Sequence, residues 1–408
     1  MVIPFVVQMT AAVGLTAWLS IRNGQQAVDA AVGHLWAETT AHTNAEVDEL
    51  LATARAVNTL SVKAIRRRNL DLANIRSVQD LYWDYLNTFP GILGLGAGNS
   101  SGDILGMFRR LEKGQTLYFL EYSSPETEGR YLSQRLSQQG RVIQSHMTDQ
   151  HINVRERPWY QAAVEAAGPV WTDVYTSVSQ VEGHVLAINT SQPVYASDGQ
   201  LQGVVSVILD LGQISQILTA NQPSPNGQVY IVEANGTLIG SSDGLNPVSV
   251  RDNRASRLAA TESQTPLIRE SAIYLNSLFQ GNFRPIHQSL ELDFTLKGDR
   301  HYLQITPIHA ADQLSWYVVV VAPESDFMAL INANTHQTIW LCLGALALAV
   351  GFSIVAARWI TRPLQQLNQA AKDIAQRSLE SSPLPAVMVK GGSREVKELS
   401  QSFQHMTQ

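Results

Sequence analysis

The chain has a single cysteine, Cys342, among 408 residues, so no intramolecular disulfide and no cysteine-based metal site can form. Any domain exposed to an oxidising compartment has to be held by its core alone. Charge is also sparse, at 16% of residues with a net of −6, and no stripe of Lys and Arg interleaved with aromatics runs through it. That excludes a nucleic-acid partner; the densest basic run, Arg66-Arg67-Arg68, reads as a solvated helix face. The ten histidines are scattered singly. The glycine-rich Gly94 to Gly98 is followed by a turn and a strand pattern, not by the helix a phosphate loop requires. No nucleophile elbow, nucleotide motif or metal constellation is present. The sequence therefore predicts no catalytic residue, no metal and no cofactor.

What the chain does have is two long apolar runs. Val2 to Ile21 is long enough to span a bilayer and lacks a basic leader; it reads as an uncleaved anchor, with a cleaved signal peptide as the alternative. The second run, Ile339 to Ala357, is bracketed by Trp340 and Trp359 and followed by Arg358, Arg362, Lys372 and Arg377. After the first run only Arg22 precedes Arg55. This asymmetry places the C-terminus in the cytoplasm and residues 22–335 outside, a two-pass topology in the plasma (inner) membrane.

Between the runs, 22–89 carries a helical period with almost no Gly or Pro and reads as a stalk helix. Beyond Pro90 the pattern turns to short strands at 92–97, 104–108, 117–122, 185–195 and 203–209, with turns at Asn99 to Asp103 and Ser197-Asp198-Gly199 favouring antiparallel pairing. A polar linker from Gln222 to Gly227 opens a second block of similar logic: strands at 229–233 and 237–241, a helical stretch near 254–279, then strands at 290–296, 301–308 and 316–321. The fold class is α+β.

After the second run, Leu364, Leu367, Ala371 and Ile374 step by three, four and three residues, as do Val396, Leu399, Phe403 and Met406, and the breaker-rich stretch 377–394 separates them. Pro363 within Ile360 to Leu364 and Glu395 at the start of the second helix complete a pattern that resembles a HAMP domain. The resemblance implies a parallel four-helix bundle from two chains, hence a homodimer, with Pro363, Leu364, Leu367, Glu395 and Leu399 in signal transmission. An amphipathic helical hairpin or a plain coiled-coil linker is the other reading of that spacing.

The exoplasmic region carries Arg157-Pro158-Trp159-Tyr160, Ser191 to Tyr195 with Asp198-Gly199, and Gly203-Val204-Val205 in that order. Together they resemble the double Cache sensor domain, built of tandem PAS-like antiparallel sheets. The resemblance divides the chain into transmembrane helix 1 (1–21), stalk (22–89), membrane-distal Cache domain (90–221), membrane-proximal Cache domain (222–335), transmembrane helix 2 (336–359) and HAMP (360–408). It implies that Arg157, Trp159, Tyr160 and Tyr175 line a ligand pocket, the guanidinium facing a carboxylate. The other reading makes Trp159 and Tyr160 core aromatics and pairs Arg157 with Glu156 or Asp173. Where relatives that bind amino acids hold an aspartate and an earlier tyrosine, this chain has Ile208 and Ile152. Asp210, two residues on and on the same strand face, is the candidate substitute. A small carboxylate or other small anion fits these departures better than an α-amino acid.

The expected function is a transmembrane sensory receptor region that passes ligand binding through HAMP to a cytoplasmic output domain or partner. A histidine kinase of a two-component system, a nucleotide cyclase and a chemoreceptor hairpin all remain open as that output. A membrane-anchored solute-binding protein without signalling output is the alternative.

Overall fold

The computed structural model describes residues 2–68, 70–112, 115–179, 183–251, 254–308, 313–328 and, further on, 340–341, 343–352, 354–355, 358, 365 and 368–369. Two compact units are distinguished, Val32–Asp326 and, separately, Met1–Ala31 with Phe327–Gln408.

Helix α1 (Val2–Arg68) realises the uninterrupted helical period read from the sequence. Within the larger unit its buried stripe runs Trp36, Thr40, Thr43, Val47, Leu51, Ala54, Asn58, Ser61 and Ile65, the spacing of one helix face. Trp36 meets Tyr302 edge-to-face at 6.2 Å, the Thr40 hydroxyl donates to Gln304 Oε1 at 3.0 Å, and Asn221 Nδ2 donates to Glu46 Oε2 at 2.6 Å. The helical reading continued to residue 89, but α1 ends at Arg68 and a separate helix, α2, covers Gln79–Thr88.

A large antiparallel sheet follows: β1 (Gly94–Asn99), β2 (Ile104–Glu112), β3 (Gln115–Ser123), β4 (Arg130–Leu136), β5 (Val142–His151), then helix α3 (Pro158–Ala166), β6 (Val170–Trp171), β7 (Tyr175–Ser179), β8 (Gly183–Tyr195) and β9 (Leu201–Asp210). Its order is β5-β4-β3-β2-β1-β9-β8-β6, with β7 also on β8. The two predicted turns join β1 to β2 and β8 to β9. Gly102 and Gly199 take positive φ there, and the Asn99 side chain accepts from Asp103 N at 2.9 Å. β4 and β5 escaped the sequence reading because they are polar and reach the sheet edge, β5 being exposed along most of its length.

Helix α4 (Gly212–Ala220) leads to the second sheet, made of β10 (Gln228–Glu233), β11 (Leu238–Ser241), then β14 (Leu290–Leu296), β15 (Asp299–Ile308) and β16 (Trp316–Pro323), in the order β11-β10-β16-β15-β14. Between β11 and β14 lie the hairpin of β12 (Val248–Arg251) and β13 (Arg254–Arg257) and helix α5 (Pro266–Phe279). The helical reading near 254–279 was thus too long: its first four residues are strand, and the helix starts at Pro266, a residue preset for a first helical position. The α+β expectation, a long helix followed by antiparallel sheets, holds.

In the smaller unit the described residues from 340 to 369 are helical. Among the described residues no helix is long and apolar enough to cross a membrane. Pro363, Leu364, Leu367, Glu395 and Leu399 lie outside the described residues.

Candidate functional site

The face of the large sheet toward α3 carries a run of small residues. Register places Gly94 beside Ile208, Gly96 beside Ser206 and Gly98 beside Val204, and across β8 Asn189 pairs with Ile208 and Ser191 with Ser206. At Gly98 a Cβ would lie 2.5 Å from the Val154 side chain, so glycine is what lets the loop before α3 settle onto the sheet. A cavity of 1870 Å³ is lined from the same sheet by Ile104, Phe108, Arg110, Asn189 and Ile208. That is larger than the ~300–1,000 Å³ of an ordinary small-ligand site. It reaches from Arg110 and Glu121 on the sheet, past α3, down α4 to the 244–247 loop.

Arg157, Trp159, Tyr175 and Asp210 all line it; Tyr160 does not. Helix geometry explains the split. Arg157 is the extended N-cap residue and Pro158 the first residue of α3. Trp159 and Ala162, three apart, turn toward the cavity, while Tyr160 and Ala163 turn into the core with Val154 and Val204. The Tyr160 hydroxyl donates to the Asn99 carbonyl at 3.3 Å. Its place in a ligand wall is therefore corrected to a core position that seats α3.

Arg157 pairs with neither Glu156 nor Asp173. Glu156 accepts from Asn153 Nδ2 at 3.2 Å, and among the described residues the Arg157 guanidinium makes no hydrogen bond or ion pair. Its charge is felt by the hydroxyls of Tyr131 and Tyr175. Tyr175 is 37% exposed, yet its hydroxyl end points inward and donates to Asn189 Oδ1 at 2.6 Å. Burial pushes that hydroxyl up to about 12, while the Arg157 charge pulls the other way. Asp210 accepts from Gly212 N at 2.8 Å; burial raises its carboxyl above the ordinary range, and that backbone bond opposes the rise. Ile208 and Asp210 line the same cavity, as their even spacing requires.

The sequence reading missed three lining residues, Asn189, Trp171 and Glu121. Asn189, 1% exposed, gives Nδ2 to Ser206 Oγ at 3.1 Å, and Ser191 Oγ donates to the same oxygen at 3.0 Å. Trp171 carries a buried indole N–H with no acceptor. Glu121 accepts from Tyr131 at 2.6 Å and Ser133 at 3.2 Å and lies 3.7 Å from Arg110, so its charge is already matched. The signal that could have found Asn189 is the run of four consecutive polar residues, Asn189 to Gln192, inside a strand that is buried from Leu186 to Ser191. Among the described residues the site thus holds one guanidinium without a protein partner, apolar walls, and a hydrogen-bonded amide on the same lining, an arrangement suited to holding a small anion.

Family comparisons agree with this architecture. The Cache domain model (dCache_1) matches residues 34–331 and the HAMP domain model residues 355–408. The chain is 26% identical over 229 residues to adenylate cyclase 1 of Rhizobium meliloti (55% of this chain, 32% of the cyclase). It is 25% identical over 251 residues to the methyl-accepting chemotaxis protein McpA of Pseudomonas putida (61% of this chain, 34% of McpA). It thus spans about a third of the length of these relatives. The ligand-binding domain of Campylobacter jejuni chemoreceptor Tlp3 in complex with L-valine is similar at a TM-score of 0.45 and 12% identity, covering 76% of this chain and 97% of that one. The chain belongs to the Cache domain family and carries a HAMP domain behind the Cache region.

Proposed function

We propose that this Cache-family chain is the sensory region of a two-pass membrane receptor. Residues 22–335 lie outside the cytoplasm, with 90–221 as the membrane-distal and 222–335 as the membrane-proximal domain. The apolar runs at 1–21 and 336–359 cross the bilayer, and the arginine asymmetry around them sets the direction. The ligand is a small carboxylate or similar anion held in the cavity on the large sheet. The chain itself does no chemistry; HAMP, paired between two copies through Leu364, Leu367 and Leu399 with Pro363 and Glu395 at its helix starts, passes the bound state to a cytoplasmic output domain.

The observation that carries this reading is the unpaired Arg157 guanidinium at the cavity wall. Arg157 is exposed, and its planar fork of donors, left without a carboxylate of its own, is matched by a carboxylate from a ligand, with Trp159 and Ile208 on the same cavity lining. Calorimetry on the full chain in detergent, against a set of small mono- and dicarboxylates, tests it. At least one should bind, and Arg157→Ala should weaken that binding roughly 10- to 150-fold, the equivalent of about 1.5–3 kcal/mol for a charge-assisted contact. No binding by any member, or unchanged binding in the variant, overturns the reading.

A further inference from the structure

Helix α4 has one side in the cavity and the other on the second sheet. Gly212, Gln216, Thr219 and Ala220, spaced as one helix face, are exposed and line the cavity. Ile214 and Leu218 are buried, and a Cβ at Gly240 of β11 would stand 3.2 Å from Ile214, so glycine there seats the helix on the strand. Beyond its last turn the chain enters a closed turn. Gly227 N donates to the Ser224 carbonyl at 3.1 Å, and Gln222 Nε2 donates to the Gly227 carbonyl at 2.9 Å. A Cβ at Gly227 would lie 2.6 Å from Ser224 Oγ and 3.1 Å from Ala322 of β16, so this turn also closes only around a glycine.

The turn is bonded to two carboxylates, each on a segment through which the chain leaves the larger unit. Asn221, the C-cap of α4, gives Nδ2 to Glu46 Oε2 at 2.6 Å. Ser224 Oγ, Asn226 N and Asn226 Nδ2 give three bonds to the Asp326 carboxylate, at 2.6, 2.9 and 2.7 Å. Glu46 stands on α1, one continuous helix from Val2 to Arg68, and Asp326 is the last residue of the larger unit before the chain runs on toward the second apolar stretch. Moving the end of α4 alone would break all four of these charge-assisted bonds. Resting on the cavity as the sensory site, we propose that Asn221 to Gly227 is a latch through which a shift of α4, caused by an occupant of the cavity, moves Glu46 on α1 and Asp326 on the outgoing chain together. Coupling of this kind is carried by contiguous bonded elements, and here the cavity-lining helix, the closed turn and the two carboxylates form one.

Hydrogen–deuterium exchange on the full chain in detergent tests the latch with no ligand present, so its failure leaves the carboxylate reading standing. Asp326→Ala and Glu46→Ala each cut one side of the latch. Each should speed exchange in Gly212 to Ala220 by about tenfold and leave α3 and α5 within about twofold, because only the local unit that has lost its bonds opens more often. In the reverse direction Ile214→Ala, which loosens α4 on its seat at Gly240, should speed exchange at Ser325 to Met328 more than in α3. Should one carboxylate variant loosen the whole unit, the other decides. Exchange in α4 that neither variant moves overturns the proposal, as does equal speeding of α3, α4 and α5 in both. Exchange at Ser325 to Met328 that Ile214→Ala leaves unmoved, or moves no more than in α3, overturns it as well.

Discussion

The two sheets of the larger unit differ less in plan than in what their inner faces carry. The α3 face of the nine-stranded sheet carries Gly94, Gly96, Gly98, Ser206 and Asn189; Val154 packs on Gly98 and Phe108 on Gly94, while Asn189 and Ile208 line the open cavity. The five-stranded sheet buries Tyr230, Phe283, Phe294 and Tyr317 under α5, with Tyr274 stacked on Phe294 at 5.3 Å and Phe283 edge-on to Tyr317 at 6.0 Å. The same kind of sheet and helix thus makes a binding chamber in one place and a packed core in the other. Side-chain volume on one sheet face decides which, because interiors close-pack wherever the side chains allow it.

Emptying the packed half should have the largest effect. Phe283→Ala removes a ring that is 3% exposed and touches both Phe279 and Tyr317, so denaturant unfolding of the full chain should show a loss of about 3–5 kcal/mol. A loss under 1 kcal/mol would mean that the smaller sheet is not held by its aromatic core. In the open half, Tyr175→Phe removes the donor to Asn189 Oδ1 and strands a buried acceptor, which should cost about 1–3 kcal/mol in the same assay. An unchanged midpoint would show that the Tyr175–Asn189 bond does not order the chamber wall.

The halves should also part in their response to pH. Burial raises the Asp210 carboxyl, so its contribution to stability is full below the ordinary value of 3.8 and is lost as pH rises through the folded value. Asp210→Asn should accordingly gain in melting temperature over the unaltered chain as pH rises from 3 to 7. Asp326 is the reverse. Burial pushes it up, but hydrogen bonds from Asn226 Nδ2 (2.7 Å), Ser224 Oγ (2.6 Å) and Asn226 N (2.9 Å) outweigh that and hold it below the ordinary value. Its contribution is present above 3.8 and lost as pH falls through the folded value, so Asp326→Asn should be a loss at pH 7 that fades toward pH 3. Parallel slopes for the two variants would contradict the assignment of opposite environments.

How much of this was legible in the sequence follows from burial. Strands with an apolar buried face, such as Gly203 to Leu209 and Trp316 to Val321, announced themselves, as did turns whose Asn, Asp and Gly have a fixed conformational job. β4 and β5 did not, because edge strands with polar or exposed side chains lack the alternation that marks a strand. Arg157, Trp159, Tyr175 and Asp210 were found through a motif and a two-residue period. Tyr160 was misplaced because a motif lists neighbours in sequence, whereas a helix sends consecutive residues to different faces. Asn189 was invisible because its role depends on which strands pair: register alone sets it beside Ile208, whereas Trp171, beside Thr190, falls on the other face of the sheet.

The central claim is that a small carboxylate binds on the large sheet and not in the small one. Hydrogen–deuterium exchange on the full chain, with and without the tightest-binding acid at saturation, tests it most directly. The account predicts slowed exchange in Val154 to Ala166 and Trp171 to Tyr175, on the strands 186–195 and 201–210, and no slowing in α5 or on the strands 290–296 and 316–323. Slowing confined to α5 and the smaller sheet, with the Arg157 segment unchanged, would contradict it.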